Sequence, residues 1–81
     1  MQTINYRGYK IKSTPSEILD EEPYKYSPNG IIQVDTGDAV THILVQNLDI
    51  PDNEWKQRTE DDADAIFIKY AKKYVDQHIN E

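Results

Sequence analysis

Three groups of side chains in this chain have types and spacings that invite chemistry. The acids gather as Asp20-Glu21-Glu22, as Asp49 with Asp52 and Glu54, and as Asp61-Asp62-Asp64. Clustered carboxylates are hard oxygen donors, but a calcium loop sets its ligands at alternate positions around a central glycine. None of the three runs has that spacing, so they read as solvated surface and helix-capping charge, with no metal site expected. The two histidines, His42 and His78, have no cysteine, serine nucleophile or second histidine at ligand or dyad spacing. Each reads as a partly buried or boundary side chain, and His78, near a helix C-terminus, is favoured as the cation there. The third group is Tyr6, Arg7, Tyr9, Lys10 and Lys12. Rings that stack bases beside cations that track phosphates are the recipe for holding a single nucleic-acid strand. Strand alternation, however, puts Tyr9 with Ile11 on one face and both lysines on the other. There is no glycine-rich phosphate loop and no nucleophile elbow. An enzyme mechanism therefore has no residue to begin from, and a non-catalytic protein without a cofactor is expected.

Charge narrows the partner classes. The 81 residues carry 15 acids against 9 lysines and arginines, a net charge of −6, and the imbalance is segregated. Residues 1–15 hold three basic groups and no acid; residues 16–38 hold six acids and Lys25; residues 49–64 hold seven acids against Lys56 and Arg58. Most of this surface repels phosphate, so a duplex nucleic-acid partner is disfavoured. An acidic decoy that occupies and inhibits a basic partner is one use for such a distribution. The chain has no cysteine, so neither disulfides nor thiolate metal sites are available. It opens without a signal-peptide pattern and has no apolar run long enough to span a bilayer. A cytoplasmic protein with no membrane association is the expectation.

The elements that would position these groups follow from periodicity. A chain this short makes a single domain, residues 1–81, with a small core. Residues 9–13, YKIKS, alternate as a half-buried strand. Arg7-Gly8 ahead of it permits a tight turn or a bulge, leaving a short hairpin and one kinked strand both open. Residues 14–30 hold three of the four prolines and a cluster of acids. They read as an acidic proline-rich loop, with Ser27-Pro28-Asn29-Gly30 at a turn. Connections this long are functional or partly packed. The run IIQVDTGDAVTHILVQNL reads as a hairpin turning at Thr36-Gly37-Asp38. Its first arm sets Ile32 and Val34 opposite Gln33 and Asp35. Its second arm has Val40, Leu44 and Leu48 with His42 on one face and Ile43 with Val45 on the other. Such a strand is expected to be covered on both faces.

A C-terminal helix is announced by Thr59-Glu60-Asp61-Asp62, a capping-box arrangement with acids in the first turn. No glycine or proline interrupts residues 60–80, so the helix reaches ~30 Å. Ala63, Ile66, Phe67, Tyr70, Ala71 and Tyr74 form its apolar stripe. Ile68, Val75 and Ile79, with Lys72 between them, fall beyond the stripe's edge. The expected fold is α+β: an antiparallel sheet of three to four strands with one long C-terminal helix packed on a face.

The YRGYKI opening, Tyr6 to Ile11, and the closing segment Thr59 to Asp76 resemble a set of short uncharacterised bacterial proteins. Those share a YRGY-x-I start and a final helix introduced by threonine and acids. The resemblance covers about a third of the chain and implies a strand-strand-strand-helix layout. It brings no known activity and no site residue with it.

The functional expectation is a protein-interaction module, a homodimer or a binder of another protein. The surface expected to serve it is Ile68, Lys72, Val75 and Ile79 on the helix with Val40 and Leu44 on the sheet, because exposed contiguous apolar patches mark such sites. The opposing expectation is that Ile18, Leu19, Tyr24 and Tyr26 in the loop cover the sheet's far face and leave little to bind. From another class, Tyr6, Arg7, Lys10 and Lys12 would hold single-stranded nucleic acid.

Overall fold

A computed structural model describes residues 1–35 and 40–79, and of Asp35, Val40, Thr41 and Ile79 the backbone alone. The order is β1 (Gln2–Tyr6), β2 (Tyr9–Ser13), β3 (Ser16–Glu17), β4 (Tyr26–Ser27), β5 (Gly30–Asp35), β6 (Val40–Leu44) and α1 (Glu60–Ile79). One antiparallel sheet has strand order β1-β2-β5-β6, and β3 pairs with β4 in a separate two-stranded ribbon. The fold is α+β, one four-stranded sheet carrying one long C-terminal helix. The turn expected at Thr36-Gly37-Asp38 lies outside the described residues.

Arg7 and Gly8 both take positive φ, 51° and 86°. Two such residues make the tight connection whose twist matches antiparallel strands, so β1 and β2 are a hairpin rather than one kinked strand. Pairing then lines Ile4, Ile11, Ile32 and Ile43 across all four strands in one row. That row is the sheet's inner face, and α1 lies on it. Ile11, Ile32, Leu48, Ile50, Phe67, Ala71 and Val75 form the buried core. A fully buried Ile, Val or Phe side chain contributes ~1.5–3 kcal/mol, which is how a chain this small holds together.

The helix starts where its sequence asks. The Asp62 backbone N–H donates to Thr59 Oγ1 at 3.1 Å, satisfying one of the orphan donors of the first turn. Its buried line, however, runs through Ala63, Phe67, Ala71 and Val75 at four-residue spacing. The expected stripe is centred nearer Tyr70 and Tyr74. Both tyrosines are only half-buried, because a phenol needs a polar partner and settles at a rim. The helix rolls away from them and seats its alanines against the sheet.

Two further expectations are corrected. β6 ends at Leu44, and a 3-10 turn over Val45–Asn47 redirects the chain, so Leu48 drops into the core instead of continuing a face with Leu44. Ile50, in the bend that follows, is buried as well, and its carbonyl accepts the Trp55 indole N–H at 3.0 Å. Ser27-Pro28-Asn29-Gly30 is not a free turn: Ser27 belongs to β4 and Gly30 opens β5, paired with Ser13.

Candidate docking surface

The acidic proline-rich segment is built, not slack. The Ile18 N–H donates to the Lys25 carbonyl at 2.7 Å and the Tyr24 N–H to the Glu21 carbonyl at 2.9 Å, closing residues 19–24 into a hairpin tip. Its β4 arm is fastened to the stretch before the helix. Lys25 N–H and Tyr26 N–H both donate to the Gln57 carbonyl, and the Gln57 N–H returns a 2.7 Å bond to the Tyr26 carbonyl. The Lys56 ammonium holds Glu21 at 2.6 Å, and β4 runs beside α1. Asp20, at the tip, takes a φ of +62°, a conformation aspartate tolerates better than most.

This hairpin adds nothing apolar to the interior. No side chain from residues 16–27 belongs to the core cluster or to the half-buried apolar groups packed against it. Leu19 is 73 % exposed and Tyr24 40 %. They sit among Glu17, Asp20, Glu21 and Glu22, with Lys25 the one cation in the ribbon. The expectation that Ile18, Leu19, Tyr24 and Tyr26 cover the sheet's far face is therefore overturned. That face is open along β6, where His42 and Leu44 are exposed, and at Lys10, while Lys12, Ile31 and Gln33 on the inner strands are half-buried; the two-sided covering expected for β6 does not occur, and His42 is not a boundary residue.

The helix patch expected from sequence dissolves in a similar way. Val75 is 1 % exposed and belongs to the core; the roll of the helix carries it inward. Ile68 is half-buried against the same core. Lys72 is exposed, its ammonium 5.4 Å from the centre of the Tyr6 ring. The side chains of Val40 and Ile79 lie outside the described residues. Of the expected set, Leu44 remains as an exposed apolar side chain, 43 % accessible.

The basic-aromatic quartet is divided between two faces. The Tyr6 hydroxyl donates to Asp76 Oδ1 at 2.8 Å, and Arg7 Nη1 donates to the same oxygen at 2.9 Å. Both therefore brace the first hairpin against the helix, while Lys10 and Lys12 project from the opposite face. These four residues are not one strand-tracking surface. The hydrogen bond to Asp76 raises the Tyr6 pKa above its ordinary value, burial adding to it and Arg7 opposing. Tyr70 is raised too, with the Glu54 carboxylate beside it as the leading cause. The native state thus retains phenolic protons that an unfolded chain releases from about pH 10. Stability from these two contacts is complete below that pH and declines as pH rises through the raised folded values. The Tyr6→Phe/Tyr70→Phe variant should accordingly lose stability less steeply than the parent between about pH 9.5 and 11. Urea titrations across that range read the two slopes, and equal slopes would contradict the assignment.

Two other places are candidates for chemistry. Asp64 is buried on the helix's first turns, accepting the Ser13 hydroxyl at 2.6 Å and the Met1 ammonium at 2.9 Å. The hydrogen bond to Glu60, then that to Asp64, raises the ammonium's pKa. Charge, hydrogen bonds and partners are matched, and the arrangement is structural. A shallow cleft lined by Asp49, Tyr70, Lys73, Tyr74 and Gln77 has His78 stacked on Tyr74 at 4.0 Å beside it. Its lining includes no nucleophile with a base. Among the described residues no three His, Asp or Glu side chains converge as metal ligands would, and no helix is long and apolar enough to cross a membrane. No protein-family model, curated protein or solved structure matches the chain.

Proposed function

We propose that this protein is a non-catalytic interaction module whose recognition element is the acidic hairpin of residues 16–27. One observation carries the proposal. The hairpin is held in place by backbone hydrogen bonds and gives no side chain to the core, yet it presents Leu19 and Tyr24 to solvent. A scattered exposed leucine needs no explanation. A shaped segment that the fold does not use for burial, tipped with two apolar groups inside a ring of acids, has the anatomy of a docking knob: apolar anchor, charged rim. Its charge selects a basic surface on the partner, the feature that also motivates a decoy role.

The test uses a photoreactive amino acid at position 19. It should give one discrete protein adduct in the protein's native cells, of the chain with itself or with another protein. The same labelled chain carrying Tyr24→Ser, still folded, should give far less of that adduct. Equal yields from the two labelled chains would sink the proposal.

A further inference from the structure

The sheet's outer face is the surface the fold leaves most plainly unclaimed. Register places two cross-strand rows there: Thr3, Lys12, Ile31 and Leu44 in one, and Asn5, Lys10, Gln33 and His42 in the other. Residues directly opposite on one face of a sheet are neighbours in space, so each row is a continuous strip. Ile31 and Leu44 form an apolar pair flanked by Lys12 and by the Lys10–Gln33–His42 strip. The described side chains on this face include two lysines, and the register also places Asp35, paired with Val40, at its far end, so the face is basic by one charge in a chain of net charge −6. Among the described residues neither lysine has an ion-pair partner.

The hairpin tip is the converse: an apolar pair, Leu19 and Tyr24, flanked by Asp20, Glu21 and Glu22. We propose that the partner of the hairpin is a second copy of this chain, and that the tip of one copy seats on the outer sheet face of another. This rests on the docking role argued above and assigns its occupant. Leu19 and Tyr24 lie against Ile31 and Leu44, and the tip carboxylates face Lys10 and Lys12. The contact is not made within one copy: Leu19 is 73 % exposed, and among the described residues no ion pair joins the tip to Lys10 or Lys12. Backbone bonds to Gln57 hold β4 beside α1, the element that occupies the inner face. Complementary charge also fixes register and rejects other orientations.

Sedimentation velocity of the full chain, from micromolar to millimolar concentration, tests this. The parent should associate reversibly and less strongly as salt is added, because exposed pairs are screened. Lys10→Glu/Lys12→Glu should weaken association at least about tenfold, and Glu21→Lys/Glu22→Lys should do the same. An equimolar mixture of the two reversed variants should recover association, since a basic tip then meets an acidic sheet. Circular dichroism establishes that each variant is folded; where a reversal does not fold, its Gln counterpart should show a smaller loss of the same sign. Association indifferent to both reversals, or a mixture no better than its components, overturns the proposal. A monomer whose position-19 label captures a different protein overturns the second-copy assignment alone. No association and no capture overturn the docking role as well.

Discussion

Replacing Phe67 by alanine should remove about 3–5 kcal/mol of stability. The ring is fully buried at the centre of the helix's contact line, in one cluster with Ile11 and Ile32. Truncation forfeits its transfer free energy and leaves a void between a helix and a sheet that are each internally hydrogen-bonded and cannot collapse into it. Domains of this size have ~5–10 kcal/mol in all, so the variant should be marginal or unfolded at 25 °C. Phe67→Leu fills more of the volume and should retain a cooperative urea transition at a lower midpoint. A loss below ~1 kcal/mol for the alanine variant would mean the ring is not where the core is.

Gly30→Ala should be nearly as damaging, for an opposite reason. A Cβ built on Gly30 stands 2.1 Å from the Lys12 carbonyl oxygen and 2.7–2.8 Å from the edge of the Phe67 ring. The residue's φ of 154° adds backbone strain for any side chain. The aromatic edge has some freedom, but the carbonyl belongs to β2, which is paired on both sides. Relief therefore requires peeling β5 away from β2 at the Ser13–Gly30 pair. Overpacking of this kind costs about 3 kcal/mol. Phe67→Leu should relieve part of the Gly30→Ala penalty and never all of it, because the contact with the backbone oxygen persists. Urea denaturation of the two single variants and the double variant measures this coupling, and a Gly30→Ala chain within ~0.5 kcal/mol of the parent would contradict it.

Local chemistry makes much of the fold legible. Alternation through Tyr9-Lys10-Ile11-Lys12 sets β2 with its buried isoleucine, and Thr59 with three following acids starts the helix at the observed place. Arg7-Gly8 is ambiguous by composition and is settled by two consecutive positive φ angles. What escapes is decided by distant partners. Helical spacing gives the apolar arc of α1 but not its roll, which depends on alanines meeting the sheet and on tyrosine hydroxyls finding Asp76, Glu54 or solvent at the rim. That roll turns Val75 from an expected surface anchor into core. The 3-10 turn at Val45–Asn47 contains neither glycine nor proline, so nothing local signals that β6 stops. Three prolines between residues 14 and 30 speak for an irregular loop; the hairpin there exists because Gln57, far along the chain, supplies it with backbone partners. Gly30 resembles a turn residue, and its need for a bare Cα comes from Phe67 and Lys12.

The candidate surface is legible in part. Leu44, Lys10 and Lys12 stand out in the sequence as interaction residues, but for separate roles, and the register places them on one face. Leu19 and Tyr24 are expected there to be used up as cover. Sequence carries their apolarity, whereas their exposure follows from which side of the sheet the ribbon is fastened to.

The claim that the hairpin tip serves something other than its own fold can be measured on the isolated chain. Urea denaturation of the Leu19→Ser/Tyr24→Ser variant should give an unfolding free energy within ~0.5 kcal/mol of the parent's and an unchanged slope, since both side chains are solvent-exposed. A loss of ~2 kcal/mol or more would show that these two groups are buried against their own chain, and the docking knob would be part of the core instead.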